Sequence, residues 1–407
     1  IPIEEIPVNR ILDKEKELNK DLIKAFHVPD AIIHSWKLVN LIAKDIKSYG
    51  GEILTEHEVI SIKKTSNSII KVETVYQNSK KIIECDGIIN AAGPWSGKIA
   101  KLMNQNVELQ LTKGSIMVFS HRIVSQAINR CRMPTSNDIM CPSGTVSLWG
   151  TTSEIVQNPS STNINHYEIQ DLLSGAEKLF PNIRSFRSFR AWAGVRPLVK
   201  IKNIKKGHPL PRRHFVIDHS DSGLKNTLTV CGGSLTTHRS MAEDVVNTIG
   251  QKFGINTPCT TSDTEPVNKI NNYWKPSSNY SKVENHKIFD DVICECELIT
   301  KTDIEDLIDN ENIHNFHDLR RRIRIGFGPC QGTFCNSRLA EIIATKNINK
   351  NLKKSILNFW SERLKGSIKT SYGDQAKQIL LSDYIYQENF GLRLEENFKK
   401  INTENEK

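Results

Sequence analysis

No stretch of the 407-residue chain reaches the roughly 18 consecutive apolar residues that a membrane-crossing helix requires. Internal repeats are absent, which argues against a solenoid or propeller. The opening run IPIEEIPVNRILDKEKELNKD lacks the pattern of a secretion leader and does not begin with Met, so a fragment or processed product is expected. No zinc-finger or RRM-type signature is visible, so no nucleic-acid partner is expected. The 9 cysteines are too few for a disulfide scaffold. In the reducing cytosol expected here, grouped cysteines read as metal ligands or redox groups.

What remains is a composition suited to folded domains. Hydrophobic residues make up 38% and charged residues 25%, and the length favours two or more domains. The net charge of +9 is spread over a Lys-, Asn- and Ile-rich chain. Its functional alternative is a basic surface for an acidic partner, an anionic substrate or a membrane face. Arg320, Arg321, Arg322 and Arg324 form the one dense basic group.

Residues 1–50 read as helical with a turn at His27–Pro29, ending at Gly50–Gly51. Strand-like runs follow at Glu52–Ile62, Ser68–Tyr76 and Lys81–Asn90, then a helix at about Ser96–Met103. Further strands are expected at Ser115–Ser120, Thr145–Gly150, His214–Asp218 and Leu228–Cys231, with helices at His166–Phe180 and from about Ser234. The expected organisation is a first domain over 1–255, a linker over 256–290 and a cysteine module over 291–345. A helical segment over 346–395, its helix beginning near 351, and a disordered tail over 396–407 complete it.

Four of the cysteines are grouped as Cys294-x-Cys296 and Cys330-x4-Cys335. Four thiolates satisfy a two-iron cluster. The second pair sits in a glycine-rich run, Gly326 to Cys335, whose backbone N–H groups can approach sulfur. Zinc is the rival, although neither pair has the usual Cys-x2-Cys spacing, and inert core cysteines are the bland reading. Short helices at Thr302–Leu307 and Phe316–Ile323 would bring the pairs together. Val292 to Glu297 together with Arg321 to Cys335 resembles the bacterioferritin-associated-ferredoxin-like [2Fe–2S] domain.

Three upstream motifs suit a bound ligand. Asn90-Ala-Ala-Gly-Pro-Trp95 leaves no bulk between backbone and ligand before a helix begins. Gly232-Gly-Ser-Leu-Thr-Thr-His-Arg239 opens another helix with free N–H groups. Arg190-Ala-Trp-Ala-Gly-Val-Arg-Pro-Leu-Val199 carries Arg196, able to grip an anion. Read singly, these are a tight strand-to-helix turn, a glycine turn before an ordinary helix, and a surface salt bridge.

Together they resemble the D-amino-acid-oxidase-like FAD superfamily and, in it, the family of large, flavin-carrying chains of anaerobic glycerol-3-phosphate dehydrogenases. Phe26–Asp30, Lys113–Ser115, Ile128–Arg132, Gly150–Ser153, Arg213–His219, Pro258–Thr261 and Phe359–Gly366 extend the resemblance over nearly the whole chain. It implies an α/β and α+β fold, a partial FAD-dependent oxidoreductase domain of mixed sheets plus helices followed by a small helical [2Fe–2S] domain. It implies oxidation of sn-glycerol 3-phosphate to dihydroxyacetone phosphate. The cofactors would be FAD and a [2Fe–2S] cluster, with FMN possible in the complex. Partners would be the B and C subunits and, indirectly, menaquinone, in a peripheral assembly on the cytoplasmic face of the inner membrane.

Residue by residue, the resemblance makes Arg196 catalytic and places Arg213 and Ser234 at the substrate. It places Ala91, Ala92, Gly93, Pro94, Trp95, Gly232, Gly233, Leu235 and Thr236 at the cofactor. Cys294, Cys296, Cys330 and Cys335 would be the metal ligands. Two departures stand out. The family's N-terminal Gly-x-Gly-x-x-Gly segment is not found, so a partial sequence or a decayed gene is expected. Ser234 replaces a lysine, and a lost charge-assisted contact costs about 1.5–3 kcal/mol. His214, His219 and His238 are candidate bases. Competing functions are an FAD dehydrogenase for another hydroxy or amino acid, a non-catalytic iron–sulfur electron-transfer module, and an inactive remnant.

Overall fold

The computed structural model describes residues 2–65, 69–132, 136–199, 213–264, 291–311, 315–348 and 351–389, with 278, 280–281, 284–285, 313 and 391–392. Most of the expected 256–290 linker and all of the 396–407 tail lie outside the described residues.

The first fifty residues differ from the helical expectation. β1 (Glu4–Ile6) and β2 (Ala25–His27) form an antiparallel pair around α1 (Val8–Lys14). Pro29 explains part of this, because the residue before a proline is driven to extended backbone. The expected amphipathic helix is α2 (Ser35–Ser48), closed by Gly50 at φ 80°. The three expected strands form a meander of β3 (Glu58–Lys64), β4 (Ile70–Tyr76) and β5 (Ser79–Cys85). Gln77 and Asn78, both at positive φ, make the tight turn between the last two. Asp86–Gly87 breaks the third run, leaving β6 (Ile88–Asn90) as a separate strand.

β6 belongs to a small sheet with β14 (Thr227–Gly232) and β13 (His214–Asp218). β14 runs parallel to β6, with Thr229 opposite Asn90. Both strands therefore end on the same side. β6 leads into α3 (Ser96–Leu102) and β14 into α5 (His238–Lys252). Open α/β sheets bind ligands outside the carboxyl ends of such strands.

The larger sheet is built on β7 (Leu109–Phe119), which pairs along its length with β12 (Ser188–Val199). Pro197 is tolerated because β12 is an edge strand. β10 (Val146–Gly150) and β11 (Glu154–Val156) also pair with β7, and β9 (Ile139–Ser143) and β8 (Ile128–Asn129) follow. α4 (His166–Glu177) covers one face, burying Met117, Phe119, Met140, Trp149, Leu172 and Phe180. Alternation turns Val118, Leu148, Arg190 and Trp192 to the other face, toward the cysteine module.

That module begins with β15 (Val292–Cys294) and β16 (Ile299–Thr300). It continues through α6 (Lys301–Asn310), α7 (Phe316–Ile323) and α8 (Cys335–Thr345). Thr300 and Asp303 form a capping box on α6, and Asn315 caps α7. The expected C-terminal helical piece is two helices, α9 (Leu352–Ile368) and α10 (Asp374–Tyr384). Phe359 of α9 shares one core with Cys294, Ile304, Phe316, Leu319 and Cys335. α9 also lies directly on β12: a side chain at Gly366 would come within 2.2 Å of the Ala191 carbonyl oxygen. No helix among the described residues is long and apolar enough to cross a membrane.

Candidate functional site

A cavity of about 640 Å³ opens where β6 and β14 end. Its wall includes Ala91, Gly93 and Pro94 after β6, Arg196 on β12, and Gly232, Gly233, Ser234 and Leu235 after β14. Three segments far apart in the chain thus meet. Backbone geometry explains the two glycines. Gly232 has φ 78° and Gly233 φ 69°, where side chains are strained. A Cβ on Gly233 would also lie 2.4 Å from the Met241 sulfur. Ser234 then starts the turn into α5: its N–H donates to Thr237 Oγ1 at 3.1 Å. The small wall residues and the two helix starts fit the flavin and pyrophosphate ends of an FAD.

Arg196 is held from two sides. Its Nη2 donates to Thr151 Oγ1 at 2.5 Å and its Nη1 to the Thr152 carbonyl at 3.4 Å. The guanidinium lies over Gly114, where a Cβ would sit 2.2 Å from Nη2. Beneath it is a buried polar network. Glu168 of α4 accepts from Lys113 Nζ at 2.9 Å, Ser115 Oγ at 2.7 Å and Thr152 Oγ1 at 3.0 Å. Lys113 also meets Glu154 at 2.7 Å. Burial opposes the charge on Lys113, but the hydrogen bonds it donates to Glu154 and Glu168 outweigh it and raise its pKa. Thr152 joins the two layers, because its hydroxyl belongs to the network and its carbonyl to Arg196.

Other expected residues lie elsewhere. Ala92, Trp95 and Thr236 are absent from the cavity wall. Arg213 lines a separate cavity of about 540 Å³ with His214, Asp244 and Asn247. Of the three candidate histidines, His238 lines the main cavity. His214 is paired with Asp244 at 2.6 Å, and buried His219 contacts Thr229 Oγ1 at 2.9 Å. The Nδ1 of His238 donates to the Leu235 carbonyl at 2.7 Å, leaving Nε2 as the acceptor of the neutral ring. Val195, Leu198 and Met241 also line the cavity. Their only sequence signal was proximity to the motifs.

The four grouped cysteines come together at the other end of β12's sheet face. Their thiols meet in series, Cys294 with Cys335, Cys335 with Cys330, and Cys330 with Cys296. Among the described residues no three His, Cys, Asp or Glu side chains converge on a single ion's position. A series of sulfur contacts suits a two-centre cluster better than one tetrahedral ion. Hydrogen bonds from Cys296 and Cys335 push the Cys330 thiol down to about 2. Hydrogen bonding to Cys330 and burial push Cys296 up, and hydrogen bonding to Cys294 and Cys330 pushes Cys335 up. Four neighbouring thiols cannot all ionise without a cation, so metal binding would release protons here. The Gly332 N–H donates to Cys330 Sγ at 3.4 Å. The loop passes so close that a Cβ on Gly328 would lie 2.3 Å from Cys296 Cβ. These donors and this spacing fit a [2Fe–2S] cluster.

The two halves meet at the β9–β10 turn. Buried Glu297, beside Cys296, accepts from Thr145 Oγ1 at 3.3 Å and from Arg324 Nε at 3.2 Å. Arg324 Nη2 donates to the Ser143 carbonyl at 3.1 Å.

The family model described as FAD dependent oxidoreductase matches residues 3–241, and the BFD-like [2Fe-2S] binding domain matches residues 292–345. The chain is 32% identical to the A subunit of the anaerobic glycerol-3-phosphate dehydrogenase of Escherichia coli (strain K12), covering 94% of this chain and 76% of that protein. It is 27% identical to the A1 subunit of the Haloferax volcanii enzyme of the same name, covering 95% and 72%. The solved structure of the glycerol-3-phosphate dehydrogenase from Bacillus halodurans, complexed with FAD, superposes with a TM-score of 0.56 at 18% identity. That match covers 93% of this chain and 78% of that one, a likeness of fold.

Proposed function

The chain belongs to the FAD-dependent oxidoreductase family and, within it, to the A subunits of the anaerobic glycerol-3-phosphate dehydrogenases, and from that membership we propose that it oxidises sn-glycerol 3-phosphate to dihydroxyacetone phosphate. The observation that carries this reading is the convergence of Ala91–Pro94, Arg196 and Gly232–Leu235 on one cavity. When bound, FAD supplies a hydride acceptor and the [2Fe–2S] cluster a one-electron carrier.

The chain's own residues do the rest. Arg196 offers a cation to the anionic substrate from a position set by Thr151, Thr152 and Gly114. Ser234 contributes a hydroxyl at the helix start in place of the family's lysine. Arg213 lines the neighbouring cavity, so phosphate contact is assigned first to Arg196 and Ser234. His238, with Nε2 as acceptor, takes the proton of the substrate's C2 hydroxyl. The cluster ligands are Cys294, Cys296, Cys330 and Cys335. Further subunits, of the B and C type, receive the electrons and deliver them to menaquinone at the cytoplasmic membrane face. Such partners are supported by the relatives, each of which is one component of a larger enzyme.

The test is anaerobic addition of sn-glycerol 3-phosphate to the purified, cofactor-loaded chain. Flavin bleaching followed by the paramagnetic signal of a reduced cluster is expected. A cluster signal obtainable with dithionite, but no bleaching by substrate, would favour the electron-transfer module instead. Bleaching by another hydroxy or amino acid alone would move the substrate assignment.

A further inference from the structure

The interior beside the cysteines holds more positive charge than its surroundings balance. Arg320 on α7 is 8% exposed and Arg363 on α9 is 3% exposed. Their guanidinium carbons lie 4.7 and 4.9 Å from the ring centre of Phe359, so the two cations share one aromatic neighbour. Arg190 reaches the same region from β12 and stands over Trp192 at 5.4 Å. Each repels another: Arg190 and Arg320 both act on Arg363.

Hydrogen bonding leaves these groups short. Arg320 Nη1, Arg363 Nε and Arg190 Nε are buried with no hydrogen-bond partner among the described residues. Arg363 does brace the cysteine loop, donating to the Gly326 carbonyl at 2.6 Å and to Gln331 Oε1 at 3.0 Å. Among the described residues the one hydrogen-bond contact of the Arg320 side chain is from Nε to His317 Nδ1 at 3.4 Å. Among the described residues no carboxylate lies within ion-pair distance of any of the three; Glu362 acts on Arg190 from farther away. Neighbouring Arg322 and Arg324 are, by contrast, paired with Asp318 and Glu297.

Guanidinium does not give up its proton in proteins, and unbalanced buried cations are strongly destabilising. Some anion must therefore face them. Among the described residues the anions acting on Arg320 and Arg363 are the thiolates: Cys335 acts on Arg320, and Cys335 and Cys330 act on Arg363. Four thiolates, two sulfides and two ferric ions sum to a doubly negative group, triply negative when one ferric ion takes one electron.

We propose that buried Arg320 and Arg363, with half-buried Arg190 next to them, form a guanidinium group that balances the charge of the [2Fe–2S] cluster and raises its reduction potential. The inference rests on the cluster reading above. The three are positioning residues: no bond forms or breaks at them, and the single electron comes from the reduced flavin or, in a titration, from dithionite. The reduced cluster gains more from them than the oxidised one, because its charge is larger. Arg190 lies on the strand that also carries Arg196, so the same β-strand links the arginine facing the substrate to the cluster's counter-charge.

An EPR-monitored redox titration of the full chain tests this, with iron content measured in parallel. Arg320→Met should disfavour reduction about tenfold, a midpoint about 59 mV lower for a one-electron couple. Arg320→Lys, which keeps the charge, should stay within about threefold of wild type, and Arg190→Met should shift about threefold in the same downward direction. Unchanged midpoints in Arg320→Met and Arg190→Met at full iron content overturn the proposal, as does an equal fall in Arg320→Lys. If Arg320→Met fails to hold iron, recovery of the cluster in Arg320→Lys supports the role of charge, and failure to recover it refutes that role. A wild-type chain without a cluster signal would instead overturn the cluster reading itself.

Discussion

Gly114→Ala isolates the packing that aims Arg196. Gly114 is in the middle of β7, opposite Gly194 of β12, and has no positive φ, so alanine costs the backbone nothing there. The methyl group would nevertheless sit 2.2 Å from Arg196 Nη2 and 2.6 Å from its Cζ. Ordinary contact needs more than about 1 Å of extra room. The guanidinium must leave, weakening its bonds to Thr151 and Thr152. A displacement of that size at a substrate-orienting group costs about 10²-fold in rate, or about 2.7 kcal/mol of transition-state stabilisation. Overpacking adds about 1–3 kcal/mol of lost stability. The assay is steady-state kcat/KM for sn-glycerol 3-phosphate with an artificial acceptor, on enzyme with matched flavin content. Gly194→Ala is the stability control, since nothing lies within 4 Å of its Cβ, and its melting temperature should not move. A Gly114→Ala enzyme retaining wild-type kcat/KM would refute the account of Arg196.

Glu168→Ala should lose about 1–3 kcal/mol in denaturant unfolding, because Lys113 loses one of its two carboxylate partners and the buried hydroxyls of Ser115 and Thr152 lose their acceptor. In the wild type the raised pKa of Lys113 means this stability is present below the ordinary lysine value of 10.5 and is lost as pH rises through the folded value. A pH–stability profile flat through that alkaline range would contradict it. Cys330→Ser should abolish the reduced-cluster EPR signal while substrate still bleaches the flavin; a retained signal would remove Cys330 from the ligand set. Ser234→Lys should tighten apparent substrate affinity by roughly 10- to 100-fold, measured as KM, through one charge-assisted contact. His238→Asn should lower kcat by about 10²–10⁴-fold if its Nε2 takes the hydroxyl proton, and a kcat within threefold of wild type would exclude it as the base.

The sequence alone carried the parts of this protein that depend on neighbours in the chain. Apolar periodicity marked α4 and α5, because helix signals act within a few residues. The two cysteine pairs and the glycine pair at Gly232 were legible for the same reason: spacing and positive φ are local properties. Tertiary structure decided what those parts meet. Gly114 and Arg196 sit on different strands, and the need for a bare backbone under the guanidinium exists only once β7 pairs with β12. His214 and His238 looked alike as candidate bases, yet β13 and α5 send His238 to the main cavity and His214 to a separate one. Arg320 and Arg363 lie in unrelated segments, and only packing around Phe359 brings their charges together, with Arg190 acting on both from β12. Burial and electrostatic balance are sums over long-range neighbours, so no local pattern could record them.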